Sequence, residues 1–283
     1  MSKIIDGKII STAVKERVKN EVVELNKKGI SVGLAVIIVG EDPASKVYVA
    51  NKKKACEALG IISEEYALSE NTTQEELLAL IQKLNNSPKI NGILCQLPLP
   101  SHLDEKLIIN SIDPEKDVDA FHPVNVGKIM IGDYYFLPCT PAGVMEMLSF
   151  EGIEVEGKNC VVIGRSNIVG KPMNMLLLHK NGTVTICHSK TKNLVEICKN
   201  ADILVAAVGR PNFVTADMVK DGAVVIDVGI NRVDGKLCGD VMFDEVSKKA
   251  SAITPVPGGV GPMTIAMLMQ NTLTAAKKQN NLI

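Results

Sequence analysis

Two side chains capable of acid–base chemistry, Tyr48 and Lys52, lie four residues apart. Residues 44–59 predict a helix, on which residues four apart share one face. One interpretation is a solvated basic face, because Lys53 and Lys54 follow directly. The other is that the pair lines a cleft, where burial favours the neutral amine and lets the lysine exchange protons near neutral pH. Spacing alone favours the solvated face and leaves the cleft open.

Two further polar side chains stand where chemistry is expected. Gln96 ends the apolar stretch 90–96, and ligands bind at the carboxyl ends of parallel strands. Asp119 ends the acidic run 117–119, and a carboxylate can accept two hydrogen bonds from an amino-pyrimidine ring. A satisfied loop amide at Gln96, and a helix cap or solvated charge at Asp119, remain open as alternatives.

A phosphate-binding turn is predicted around Gly164, between the apolar strand 160–163 and a helix. A strand, a tight turn and a helix opening present backbone N–H groups to a phosphate. The pattern departs from G-x-G-x-x-G, because Ser166 and Val169 replace the second and third glycines and Gly170 comes one place later. An ordinary turn between strand and helix therefore stays equally possible on spacing alone.

The next predicted strand, Thr183–Cys187, ends in His188-Ser189-Lys190-Thr191. An NAD site usually carries an acidic residue at this point for the ribose 2′-hydroxyl, whereas a basic and hydroxylated end suits a 2′-phosphate. Arg165 in the preceding turn adds another cation. We therefore predict that the cofactor is NADP.

Composition excludes several classes of protein. The 283 residues are 46% hydrophobic and 22% charged, as in soluble globular proteins, and the formal net charge is −1. We therefore expect neither a nucleic-acid nor a membrane partner. Seven cysteines without a C-x-x-C pair, behind an N-terminus that carries charges, predict a cytoplasmic location. Four scattered histidines give no metal-ligand spacing, so no metal is expected.

Strands and helices alternate along the chain, which predicts an α/β fold of two domains. The first domain is predicted at 1–139, with its first helix beginning near Ser11 and a loop-rich stretch at 113–140. The second, Rossmann-like domain is predicted at 140–263 and ends in a Gly- and Pro-rich loop at 253–262. The helix predicted within 264–283 is expected to pack back on the first domain.

Seven motifs together resemble the bifunctional methylenetetrahydrofolate dehydrogenase/methenyltetrahydrofolate cyclohydrolase (FolD) family. They cover essentially the whole chain and occur in the family's order. They are YVANK at 48–52, GILCQLPLP at 92–100, PEKDVDAF at 114–121, PCTPAGV at 138–144, GRSNIVGKP at 164–172, CHSKT at 187–191 and TPVPGGVGPMT at 254–264.

The resemblance implies an NADP-dependent oxidation of 5,10-methylenetetrahydrofolate, followed by hydrolysis of the methenyl product to 10-formyltetrahydrofolate. It implies a shared cleft between the two domains, a folate substrate and a homodimer. By the family pattern Lys52 is the general acid/base, chiefly for hydrolysis. Tyr48 would orient the folate, Gln96 would hydrogen-bond and tune the lysine, and Asp119 would hold the pterin.

The remaining site residues also follow from the resemblance. The expected folate contacts include Leu97 and the loop residues Pro257, Gly258 and Gly259. The expected dinucleotide contacts are Gly164, Arg165, Ser166, Ser189 and Ile230. One departure is that Ala120 and Phe121 follow the acidic run where glycine and a smaller residue are frequent, which leaves folate affinity open.

Two alternatives remain. Another two-domain NAD(P)-dependent dehydrogenase, acting on amino or hydroxy acids, would need an arginine for a substrate carboxylate, yet the first domain has none after Arg17. A non-catalytic folate- or nucleotide-binding protein could keep the fold, although intact Tyr48, Lys52, Gln96 and Asp119 argue against a degenerate site.

Overall fold

The computed structural model describes residues 2–283, apart from the side chain of residue 44; residue 1, the first of the predicted N-terminal domain, lies outside it. The strands are β1 (Lys3–Ile4), β2 (Gly33–Val39), β3 (Ile62–Leu68), β4 (Gly92–Cys95), β5 (Asn159–Ile163), β6 (Thr183–Cys187), β7 (Ile203–Ala206), β8 (Val224–Asp227), β9 (Asn231–Val233), β10 (Lys236–Cys238) and β11 (Ala252–Ile253). The helices are α1 (Gly7–Lys27), α2 (Pro43–Leu59), α3 (Gln74–Asn85), α4 (Glu105–Ser111), α5 (Pro123–Ile131), α6 (Cys139–Phe150), α7 (Gly170–His179), α8 (Leu194–Cys198), α9 (Phe243–Val246) and α10 (Val260–Gln279).

The chain forms two compact units. The three-stranded unit comprises Ala13–Leu137 and Ile265–Ile283. The six-stranded unit comprises Pro138–Thr264 and the N-terminal residues up to Thr12. The three- and six-stranded sheets are parallel, as the alternation of strands and helices predicts, and β9 and β10 form a separate antiparallel pair. The predicted α/β class is therefore confirmed.

The three-stranded unit is built on a sheet of order β3-β2-β4. Every residue of the central strand β2 is buried, because helices cover a parallel sheet and leave its middle strand without a wet face. Helix α2 is capped by Asp42, whose carboxylate accepts the Ser45 N–H at 2.7 Å, and it ends at Gly60. The caps at Asp42 and Gly60 fix where α2 begins and ends, and so which of its side chains share a face.

The second half of α10 completes this unit. Asn271 Nδ2 donates to the carbonyl oxygens of Val118 and Leu137, both at 2.8 Å. Farther along the helix, Gln279 Nε2 donates to the Asn91 carbonyl at 2.9 Å. The C-terminal helix therefore satisfies backbone groups that precede β4 and backbone groups of the segment that follows α4.

The six-stranded unit has the strand order β1-β11-β8-β7-β5-β6. β6 lies on one side of β5, whereas the next strands along the chain, β7 and β8, lie on the other side. The strand order therefore reverses between β5 and β7. Ligands of such sheets bind outside the carboxyl ends of the strands at this reversal. The predicted Rossmann-like fold is confirmed, and β1 adds the N-terminus to its sheet through β11.

Two helices begin earlier than predicted. Helix α1 starts at Gly7 rather than near Ser11, because the Asp6 carboxylate accepts the N–H groups of Lys8 and Ile9 and so caps the helix. Helix α10 starts at Val260 rather than at residue 264, so the predicted loop at 253–262 is shorter and ends at residue 259. Both starts contain glycine, whose low helix propensity hides them from a local pattern.

A further helix, α5, lies inside the stretch 113–140 that was predicted to be loop-rich. His122 Nδ1 accepts the Val124 N–H at 3.1 Å, and Gly132 ends the helix in the left-handed conformation. The prediction was wrong here because prolines and charges flank a helix of only nine residues. Within residues 2–283, no helix is both long and apolar enough to span a membrane.

Candidate active site

The acid–base residues lie together in the three-stranded unit. Lys52 Nζ, on α2, donates a 2.8 Å hydrogen bond to Gln96 Oε1, at the residue that follows β4. Lys52 is only 7% exposed, whereas Lys53 and Lys54 are exposed. The interpretation as a solvated basic face therefore holds for Lys53 and Lys54 and is wrong for Lys52.

Gln96 is fixed by its own contacts. Its backbone N–H donates to the Ile37 carbonyl at 2.8 Å and extends the pairing between β2 and β4 by one residue. Its Nε2 donates to the Leu97 carbonyl at 2.7 Å. An ammonium group only donates, so the amide must turn its oxygen toward Lys52 and its NH₂ toward Leu97. The structure thus brings Lys52, Gln96 and Leu97 into one hydrogen-bonded group.

Tyr48 lies one helical turn before Lys52 on the same face of α2. Tyr48 is half-buried, and this burial raises the pKa of its hydroxyl above the ordinary value. The phenol therefore stays protonated at neutral pH and can donate a hydrogen bond, while its ring offers an apolar surface.

The two carboxylates of the acidic run have different environments. Asp117 is 2% exposed and accepts hydrogen bonds from the His122 N–H and from Asn125 Nδ2, both at 2.8 Å. Burial raises the pKa of Asp117. Asp119 is half-buried between the fully buried Val118 and Ala120. Asp117 therefore holds the segment in place, and Asp119 is the carboxylate that a ligand can reach.

Asp119 also lies near the carboxyl end of β4. Burial raises the pKa of the Cys95 thiol to about 12, and the charge of Asp119 contributes to the rise. Cys95 directly precedes Gln96, so Asp119 belongs to the same edge of the sheet as the Lys52–Gln96 pair. Asp117 and Asn125 were not predicted as site residues, because only their buried contacts distinguish them from solvated polar residues.

The six-stranded unit carries the predicted phosphate-binding turn between β5 and α7. Ser166 Oγ accepts the N–H groups of Val169 and Gly170, at 3.2 and 3.3 Å, and so holds the turn against the first residue of α7. A Cβ on Gly164 would lie 2.3 Å from the Ala207 carbonyl oxygen, and one on Gly170 would lie 2.2 Å from the Gly164 oxygen. Gly170 therefore provides the close approach of helix to strand that the third glycine of the standard motif gives.

The end of β6 fits a 2′-phosphate. The His188 N–H donates to Thr191 Oγ1 at 2.9 Å, and the Lys190 N–H donates to His188 Nδ1 at 3.1 Å, which folds this segment into a tight turn. Ser189 and Lys190 are exposed there, as is Arg165 in the turn after β5. Hydroxyl and cationic groups at these positions match a phosphate monoester.

The remaining predicted contacts also lie in the six-stranded unit. Ile230 follows β8 and is 48% exposed, although large apolar side chains are usually buried. Pro257, Gly258 and Gly259 form the turn before α10, and the Val256–Pro257 peptide is cis. Within residues 2–283, no group of three or more His, Cys, Asp or Glu side chains could hold a metal ion.

Family models match both units. One, described as the catalytic domain of tetrahydrofolate dehydrogenase/cyclohydrolase, matches residues 5–119. A second, described as the NAD(P)-binding domain of the same enzymes, matches residues 138–280. The chain belongs to the tetrahydrofolate dehydrogenase/cyclohydrolase family. The predicted family is therefore confirmed.

Individual members of the tetrahydrofolate dehydrogenase/cyclohydrolase family are similar to this chain in sequence and in structure over nearly its whole length. The bifunctional protein FolD of Acetivibrio thermocellus is 66% identical over 279 residues, which are 98% of each protein. The crystal structure of FolD from Campylobacter jejuni is 54% identical, with a TM-score of 0.97 over 99% of this chain and 100% of that one. FolD from Trypanosoma brucei, solved with NADP and an inhibitor, is 41% identical, with a TM-score of 0.95 over 99% and 98%.

Proposed function

We propose that this chain oxidises 5,10-methylenetetrahydrofolate to 5,10-methenyltetrahydrofolate with NADP⁺ and hydrolyses that product to 10-formyltetrahydrofolate. The observation that carries the proposal is the hydrogen bond between the buried Lys52 and the half-buried Gln96, in a chain of the dehydrogenase/cyclohydrolase family. The bond uses one of the three hydrogens of the ammonium group and fixes the direction of the other two.

Lys52 is the proposed general acid/base of the hydrolytic step. Water that adds to the cationic methenyl carbon loses one proton, the ring nitrogen gains one when the bridge opens, and the remaining hydroxyl proton leaves to solvent as the formyl carbonyl forms. Once Lys52 has given up a proton, its neutral amine can accept the first of these protons and, as the ammonium, donate the second. Gln96 keeps the Lys52 amine at a fixed position during both transfers, because its own amide is tied to Leu97.

The oxidative step needs positioning rather than a proton transfer, because forming the methenyl carbon releases no hydroxyl proton. Tyr48 orients the folate with its ring and its protonated hydroxyl. Asp119 accepts hydrogen bonds from the amino-pyrimidine of the pterin. When bound, NADP⁺ supplies the hydride acceptor for this step.

The proposed dinucleotide contacts are Gly164, Arg165, Ser166, Ser189 and Ile230. Ser166 accepts the N–H groups of Val169, Gly170 and Lys171 at the opening of α7, so we propose that the turn residues Gly164, Arg165 and Ser166 themselves contact the pyrophosphate. Arg165 and Ser189 are exposed and suit the 2′-phosphate, which favours NADP over NAD.

Hydride transfer requires the two reacting carbons to approach closely, and we propose Pro257, Gly258 and Gly259, in the turn before α10, as further folate contacts. The family resemblance further favours a cytoplasmic homodimer, and the net charge of −1 gives no attraction to nucleic acid or membranes. Light scattering in solution should then give twice the mass of one chain.

A spectrophotometric assay tests the function. The purified chain is incubated with 5,10-methylenetetrahydrofolate and either NADP⁺ or NAD⁺, and absorbance is read before and after an acid quench. Acid returns the 10-formyl product to the methenyl form, so the difference counts hydrolysis. We expect NADP-dependent oxidation with hydrolysed product; no oxidation with either nucleotide would overturn the proposal.

A further inference from the structure

Asp240 accepts hydrogen bonds from the loop that follows β7 and from β9. Its Oδ2 accepts the N–H groups of Val208 and Gly209 at 2.7 and 3.0 Å. Its Oδ1 accepts the Arg210 N–H and Asn231 Nδ2, both at 2.9 Å. Asp240 is fully buried, at 0% exposure. Four donors fill the acceptor sites of one carboxylate, so an amide could not replace it without turning an NH₂ toward another N–H.

A second buried carboxylate holds Asp240 itself. Asp227, at the end of β8, is 3% exposed, and its Oδ1 accepts the N–H groups of Gly229 and Asp240, both at 2.9 Å. Its Oδ2 accepts the Val241 N–H at 2.9 Å. The two aspartates therefore tie the segment 239–241 to the ends of two neighbouring strands of the sheet.

Ile230 is held on both sides by this pair. The preceding Gly229 donates to Asp227, and the following Asn231 donates to Asp240. A Cβ on Gly229 would lie 2.2 Å from Asp240 Oδ1, so the backbone passes directly against the carboxylate. Ile230 itself is 48% exposed. The buried charges fix the backbone, and the exposed side chain stands where it can meet a ligand.

We propose that Asp240 is a positioning residue for NADP, which holds the loop 208–210 and Ile230 in the arrangement that binds the dinucleotide. This inference rests on the proposed function, since both segments follow the carboxyl ends of β7 and β8, where the sheet is expected to bind its ligand. Burying two charges lowers the free energy of unfolding unless both are fully paired, and apolar residues could fill the same space without this penalty. We therefore expect the two aspartates to serve a purpose beyond folding.

The test compares full-length Asp240→Asn with the wild type. We expect the KM and the calorimetric Kd for NADP to rise about tenfold, because charge-assisted hydrogen bonds to one loop are lost. The kcat at saturating NADP should change less than about threefold, because positioning governs binding here. Hydrolysis of added 5,10-methenyltetrahydrofolate, which needs no dinucleotide, should keep the wild-type rate.

A matched control separates positioning from stability. Asp202 precedes β7 at the opposite, amino edge of the same sheet and accepts the Asn159 N–H at 2.9 Å and the Lys220 ammonium at 2.6 Å. Asp202→Asn should lower the Tm without changing the KM for NADP. An equal rise in KM for Asp202→Asn and Asp240→Asn would overturn the proposal.

If Asp240→Asn does not fold, Asn231→Ala tests the proposal instead. It removes the hydrogen bond that Asn231 donates to Asp240 and leaves both Asp227 and Asp240 in place. It should raise the KM for NADP with hydrolysis unchanged, and an unchanged KM would contradict the proposal. A wild-type chain that oxidises folate with neither nucleotide would instead overturn the proposed function.

Discussion

Lys52 Nζ and Gln96 Oε1 form a 2.8 Å hydrogen bond between side chains 44 residues apart in sequence. Helix α2 supplies the donor and the end of β4 supplies the acceptor, so two elements of the three-stranded unit must pack correctly for the bond to form. The proposed hydrolytic chemistry depends on this pair.

Gln96→Leu removes the acceptor and keeps a side chain of similar size. We expect the cyclohydrolase rate to fall by about 100-fold, the lower end of what general acid–base catalysis contributes, because Lys52 loses the contact that fixes its amine. The KM for NADP should not change, since the substitution lies in the three-stranded unit. A cyclohydrolase rate within twofold of wild type would show that Gln96 does not support Lys52.

Arg165→Ala combined with Ser189→Ala tests the choice of dinucleotide. If this cation and this hydroxyl bind the 2′-phosphate as proposed, removing them should raise the KM for NADP by about tenfold or more, because charge-assisted hydrogen bonds are lost. The KM for NAD should change little. Steady-state kinetics with both nucleotides measures the ratio, and equal increases would contradict the 2′-phosphate assignment.

Asp119→Ala and Asp117→Ala should separate binding from folding. Asp119→Ala should weaken folate binding by about tenfold, with the Tm nearly unchanged, because the side chain is only half-buried and is the proposed contact of the pterin. Asp117→Ala should lower stability by about 3 kcal/mol, because it leaves buried donors of His122 and Asn125 unpaired. Calorimetric titration and thermal melts measure the two effects; a nucleotide-binding defect in Asp119→Ala would count against its assignment.

Stability should depend on pH through Asp227. Burial, with the nearby charge of Asp240, raises the pKa of Asp227 to about 6. The folded state therefore binds this proton more tightly than the unfolded chain, and the contribution is present at pH 4 and lost as the pH rises to about 7, by about 3 kcal/mol. Urea unfolding of wild type and Asp227→Asn should show a larger difference in unfolding free energy at pH 4 than at pH 7. The same difference at both pH values would rule this out.

Local patterns predicted the elements that bury apolar faces. The run GLAVIIV of β2 and the apolar part of β5 follow from composition, because a parallel sheet covered by helices requires continuous apolar strands. Helix α5 was missed because it has only nine residues flanked by prolines and charges, and because its apolar residues, of which Met130 is 62% and Ile131 75% exposed, do not form the single apolar stripe of a core-facing helix.

The site was only partly visible in the sequence. Lys52 cannot be distinguished from Lys53 and Lys54 by type, because their different burial comes from packing around α2. Asp240 gave no signal, since its four donors come from segments up to 32 residues away. Ala120, where glycine is frequent in the family, has φ of +58°, so the departure falls at a left-handed residue that glycine would adopt with less strain.

Lys52→Met tests the central claim most directly, because it removes the amine and keeps an unbranched side chain. Both activities would be measured on the same preparation, hydrolysis with 5,10-methenyltetrahydrofolate and oxidation with 5,10-methylenetetrahydrofolate and NADP⁺. Cyclohydrolase activity should be abolished while part of the dehydrogenase activity remains, because only hydrolysis needs proton transfer through Lys52. Equal loss of both activities, or retained hydrolysis, would contradict the assigned role.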